Sequence, residues 1–165
     1  VRQDETPGQP RSTCHERRDP TLRRGATGFW HLSGQAPQPI RIRKFRQVSY
    51  EVARPCGWQV GKVTEADDCN HHTAEFAQAP DTMLVLGHTL LPLVAATDCP
   101  GGRFVELPAD LAEAYAAKGF EPLAAADLIR PLDQADTSAL HPAELEQISY
   151  WRPETIGALL FNHWD

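Results

Sequence analysis

Two apolar runs stand almost back to back in the middle of this chain. Met83 to Leu86 and Leu90 to Thr97 are separated only by Gly87-His88-Thr89, and Asp98-Cys99-Pro100-Gly101-Gly102 follows at once. Short continuous apolar runs read as strands buried on both faces. Strands joined this tightly pair antiparallel, because a parallel crossover needs a dozen or more residues. The turn signal at 98–102 opens a further strand, Arg103 to Leu107. Upstream, Trp58 to Val63 and His72 to Ala77 read as strands around a polar loop at 65–71, and Pro80-Asp81 as a turn.

Ile40 to Ala53 reads as a long strand as well. Ile40 and Ile42 alternate with Arg41 and Arg43, and Val48, Tyr50 and Val52 with Gln47, Ser49 and Glu51. Lys44 and Phe45 interrupt the alternation, as a β-bulge would. Pro55-Cys56-Gly57 would then turn this strand into the next as a hairpin.

The last third changes period. Pro108 and Gly119 suit the first position and the far end of a helix. Pro122 to Leu128 reads as a short helix, and Pro142 opens another with Glu144 and Glu146 near its start, where the dipole favours acids. Pro153 opens a last one, with Ile156, Leu159, Leu160, His163 and Trp164 as its apolar stripe. Strands first and helices last imply an α+β fold: an antiparallel meander sheet over about residues 40–107, with the C-terminal helices packed on one face. Residues 1–27 hold Pro7, Pro10, Pro20 and many charges, which predicts a disordered tail before a single domain at 28–165.

Length and composition bound the function. The chain has 165 residues and no apolar run of membrane-spanning length. No hydrophobic leader core follows Val1, so a cytoplasmic protein with reduced thiols is expected. The net charge is −6, unevenly spread: residues 1–24 carry +2, 41–54 carry +4, and 55–165 carry −12. So acidic a body repels a phosphate backbone, which argues against nucleic acid, and suits a basic protein partner. The basic run Arg41-Ile42-Arg43-Lys44-Phe45-Arg46 offers a contact for nucleic acid or anionic lipid, weighed against pairing with the chain's own acids.

Chemistry concentrates in Asp67-Asp68-Cys69-Asn70-His71-His72. Thiolate and imidazole are the ligand set of zinc. Cys69 with His71 or His72 supplies two ligands, and Cys56 and Cys99, on turns, are the candidates for the rest. Adjacent His71 and His72 point to opposite faces of a strand, so one of them ligates. A thiolate–imidazolium pair of Cys69 and His71, oriented by Asp67 or Asp68, is the other chemistry on offer. There is no Gly-x-Ser-x-Gly elbow and no phosphate-binding glycine motif. Trp151, Arg152 and Phe161 are the candidate partner anchors, being residue types that dominate interfaces or lying off the apolar stripe. Two functions follow. One is a small acidic non-catalytic binding protein of inhibitor, immunity or accessory type, with no cofactor. The other is a zinc- or cysteine-dependent enzyme centred on Cys69, His71 and His72.

Overall fold

The structure is a computed structural model that describes residues 20–31 and 34–164. Its element order is α1 (Ile42–Ala53), β1 (Gln59–Thr64), β2 (His71–Gln78), β3 (Asp81–His88), β4 (Leu93–Thr97), β5 (Phe104–Val105), α2 (Ala109–Ala117), β6 (Glu121–Pro122), α3 (Ala125–Leu128), a 3-10 turn (Leu132–Gln134), α4 (Pro142–Trp151) and α5 (Ile156–Leu160). Strands β1 to β5 form an antiparallel meander in sequence order, and β6 adds to β4 in parallel. The α+β class and the antiparallel meander are therefore as the sequence implied. None of the helices is long and apolar enough to cross a membrane among the described residues.

Residues 40–53 do not form the expected strand. Ile42, Phe45, Val48, Ser49 and Val52 fall three or four apart and make one face of α1, on which Phe45, Val48, Ser49 and Val52 are buried. Phe45, which breaks the alternation, sits squarely on the helical stripe. Nothing local announces this helix: it has no side-chain cap, no acid in its first turn and no base in its last. Packing of the apolar face makes it, since propensity is a weak prior that tertiary contacts override. Arg41, Arg43, Lys44 and Arg46 are thereby placed on the helix's exposed side, and Glu51 pairs with Lys118 at 2.5 Å.

Both faces of the sheet are covered, where one was expected. Successive strand residues point to opposite sides, and the two central strands are apolar at both. Ala74, Phe76, Met83, Val85, Val94 and Ala96 face α1 and α2, where Phe45, Val48, Leu111 and Tyr115 complete the core. Tyr115 shares a hydrogen bond with Ser49 at 3.0 Å inside this layer. Leu86, Leu93 and Ala95 face the other way, against Leu128, Ile156, Leu159 and Leu160 of α3 and α5. Of these helices, α2 thus joins α1, while α3 and α5 take the opposite face.

The expected tail is corrected in part. Residues 1–19 lie outside the described residues, but 20–28 are packed. Leu22 is 4% exposed and Ala26 fully buried. Leu22 N–H donates to the Asp136 carbonyl and Asp136 N–H to Pro20, and Arg23 pairs with Glu121 at 2.7 Å.

The last helix is shorter than its stripe. It starts at Thr155, whose hydroxyl accepts from Ala158 N–H at 3.1 Å. It stops at Leu160 because the Asn70 side chain takes the backbone groups that another turn would use. Asn70 Nδ2 donates to the Leu160 carbonyl at 3.0 Å, and Asn162 N–H donates to Asn70 Oδ1 at 2.9 Å. His163 and Trp164 leave the helix.

Candidate metal centre

The departure of the chain at Leu160 assembles the site. Cys69, His71 and His163 each bring a ligand-type atom, and these atoms lie within 4.8 Å of one another. Cys69 is half-buried at the end of the loop before β2, His71 is 4% exposed on the first residue of that strand, and His163 is exposed. The His71 and His163 rings meet edge to face with centroids 4.9 Å apart.

Asn70 decides which nitrogen of His71 is free. Its amide orientation follows from its partners: Nδ2 gives to a carbonyl, and Oδ1 receives the Asn162 N–H. The same Oδ1 lies 3.2 Å from His71 Nδ1. An acceptor facing Nδ1 requires the proton to sit there, which leaves Nε2 with its lone pair available. This is the usual way in which a neighbour sets the tautomer of a ligating histidine. Burial, and next the neighbouring His163, push the His71 pKa down to about 4. The ring is therefore neutral at pH 7 and competent as a ligand. Cys69 Sγ meanwhile donates to the His71 carbonyl at 3.1 Å.

Two asparagines and a glycine brace this corner. Asn162 Nδ2 donates to the carbonyls of Thr27 at 2.8 Å and Leu159 at 2.9 Å. The Asn70 carbonyl accepts from both the N–H and the hydroxyl of Thr89, each at 2.9 Å. Gly28 crosses above Asn70 at φ +82, and a Cβ there would stand 2.5 Å from Asn70 Cβ. Only glycine fits that crossing. N-terminal segment, loop and C-terminus thus meet on one side chain.

The other sequence candidates go elsewhere. His72 does point to the opposite face from His71. Ala66 N–H donates to its Nδ1 at 2.9 Å, its Nε2 donates to the Ile40 carbonyl at 2.7 Å, and its ring stacks on Phe45. With both nitrogens engaged, it is not a ligand. Cys56 lies beside Gln78, whose side chain donates to the Cys56 carbonyl, so it stands at the far end of β2 from His71. Cys99 is held in the 98–102 turn beside the Asp98 carboxylate. Neither thiol joins the cluster among the described residues, and Cys56, Cys69 and Cys99 are all free. Asp67 and Asp68 are exposed. Phe161 is 6% exposed and packs against His71, His88 and Phe104. It is a core residue and not a partner anchor. Trp151 is 37% exposed and stacks on Trp164 with planes 6° apart.

Sequence reasoning missed His163, assigned to a helical stripe that ends before it, and His88. His88 is fully buried one strand away from His71. Its Nδ1 accepts the N–H groups of Leu90 and Leu91 at 3.0 Å each, and Nε2 donates to the Ala26 carbonyl at 3.0 Å. It is a neutral cross-link holding the β3–β4 connection to the N-terminal segment. Comparison with protein-family models, curated proteins and solved structures gives no match, and the functional reading rests on the residues themselves.

Proposed function

We propose that this chain is a zinc-dependent protein whose metal is held by Cys69, His71 and His163. The observation that carries the reading is the convergence of three ligand atoms within 4.8 Å. They come from segments more than 90 residues apart in sequence, with the His71 tautomer set by Asn70. One thiolate and two imidazoles suit zinc over magnesium or calcium, which take oxygen. Three protein ligands in place of four leave a coordination position for water or substrate, the layout of catalytic rather than structural zinc. Free thiols fit a reducing compartment such as the cytoplasm.

Metal analysis of the purified protein tests this. About one zinc per chain is expected, lost in Cys69→Ser and in His163→Ala. His72→Gln and Cys99→Ser should keep it. Metal-free wild type, or equal loss in His72→Gln, would end the reading.

A second proposal is the non-catalytic binding module with a basic protein partner. It is supported by the exposed Tyr150, at 78%, beside Trp151 and the exposed Leu145. Exposed Glu146 lies on the same helix, Glu154 on the loop after it and Asp133 in the 3-10 turn. Its association with such a partner should slow as salt rises.

A further inference from the structure

Helix α1 presents a strip of unpaired positive charge. Arg43, Arg46, Tyr50 and Arg54 fall three or four residues apart, so they run along one side of the helix. That side is opposite the buried Phe45, Val48 and Val52, and Arg41 and Lys44 flank it. All six residues are exposed. The one acid on the helix, Glu51, is committed to Lys118 and Gln47, although its charge also acts on Lys44. None of the five basic side chains makes an ion pair or a hydrogen bond among the described residues. Pairing with the chain's own acids, the alternative raised by the sequence, is therefore not made.

This placing works against the helix. Arg43 and Lys44 stand in its first turn and Arg46 just beyond, at the positive end of the dipole, with no acid there to offset them. Cations are unfavourable at that end, and like charges one turn apart repel. A local rule broken with no return in the fold is expected where a residue serves function. The net charge of −6 counts against a polyanion only if the acids lie near the strip. Asp127, Asp133, Asp136, Glu146 and Glu154 belong to the segments packed on the other face of the sheet. The sheet and helices about 10 Å thick stand between, more than the screening length of about 8 Å at physiological salt. Helix α2 brings Asp110 and Glu113 to the face of α1, and neither pairs with the strip.

The residue types narrow the partner. Guanidinium groups are planar forks that suit phosphate oxygens, and Arg43 to Arg54 spans about 16 Å along the helix. Tyr50 is 50% exposed and stands between Arg46 and Arg54. An exposed aromatic within a basic strip is a platform on which an unpaired base stacks. A membrane surface suits the strip less. The apolar side of α1 is spent on the core, and stable anchoring takes a second signal besides basic charge. We propose that the outer face of α1 binds single-stranded nucleic acid, with phosphates on Arg43, Arg46 and Arg54 and one base on Tyr50. This stands independently of the metal centre.

Fluorescence anisotropy of the full chain with a labelled oligouridylate of about twelve nucleotides tests this. Affinity should fall about a hundredfold for a tenfold rise in salt, the counter-ion release of about three phosphates on a single strand. Arg43→Gln, Arg46→Gln and Arg54→Gln combined should abolish binding while preserving or raising the thermal midpoint, because the helix loses its unfavourable cations. Tyr50→Ala should cost about tenfold in affinity with the salt dependence unchanged, and Tyr50→Phe should bind as wild type. Lys62→Gln, which removes an exposed cation lining the cleft on the other face, should change nothing. Absence of binding at low salt, full binding by the triple variant, or an equal loss in Lys62→Gln would overturn the proposal. A duplex of the same length held as tightly would overturn it too, since no base is then free to stack on Tyr50. So would a phosphatidylserine vesicle held as tightly through the same arginines, which would assign the strip to a membrane.

Discussion

Glu144, fully buried in the first turn of α4, accepts the Gly25 N–H at 2.9 Å, and the same oxygen takes the Thr27 hydroxyl at 3.0 Å. Its second oxygen receives the His141 N–H at 3.0 Å, while the His141 ring accepts from Ala143, closing a capping box. A residue that reads as a dipole-stabilising surface acid is in fact the clasp holding residues 25–27 to the fold. Glu144→Ala orphans several buried donors, each worth about 1–3 kcal/mol. Chemical denaturation should show a loss of at least about 3 kcal/mol. Amide exchange at Gly25 and Thr27 should speed up before the rest of the chain. Uniform exchange with unchanged stability would show that the clasp carries no load.

Leu22 tests the same segment from its apolar side. Being 4% exposed against the α3–α5 layer, it should lose about 2–5 kcal/mol on replacement by alanine. A change within about 0.5 kcal/mol, the range of surface substitutions, would return residues 20–27 to the tail that composition predicts.

Acid should destabilise the metal-free protein well above the range where carboxylates titrate. Burial pushes the His88 pKa down to about 4 from 6.5. A folded-state pKa below the unfolded one means the unfolded chain binds the extra proton. The stabilisation is therefore complete above pH 6.5 and is lost as pH falls from there toward 4. Between pH 7 and pH 5 His88 alone contributes a loss of about 2 kcal/mol, and His71, also pushed down to about 4, adds to it in the same direction. Urea midpoints measured across that interval should fall with pH. A flat profile would mean that both rings already protonate normally in the folded state.

On the zinc reading, Asn70 is a positioning residue for His71, and its removal should weaken metal binding. Asn70→Ala should weaken zinc binding by about 10–100-fold, the usual effect of losing the group behind a ligating histidine. Asn70→Asp keeps an acceptor toward Nδ1–H and should restore most of the affinity, although it loses the bond to the Leu160 carbonyl. Chelator competition on folded protein measures both. Equal affinity in all three proteins would remove Asn70 from the site.

The central sheet was legible because its evidence is local. Apolar runs, the Pro80 turn and the Asp98–Gly102 turn mark strand ends, and antiparallel pairing of neighbours follows from short connections. The opposite orientation of His71 and His72 was legible for the same reason, since it follows from the pleat. Helix α1 was not, because Ile42, Val48 and Val52 satisfy both the strand and the helix period. Only the Phe45 contact with the sheet, where its ring lies against Gly87, separates the two.

By itself, the sequence determined the α+β class and the order of the meander, and it set Cys69 and His71 side by side in one polar segment. Tertiary structure alone brought a third ligand-type side chain, His163, to them. His72 is adjacent in sequence but faces the core and spends both nitrogens on backbone groups. His163 lies 92 residues from His71, and reaches it because Asn70 ends α5 at Leu160. A metal site needs atoms within a few ångströms. Sequence spacing specifies such distances only within one helix or strand, and between segments they are set by how the core packs.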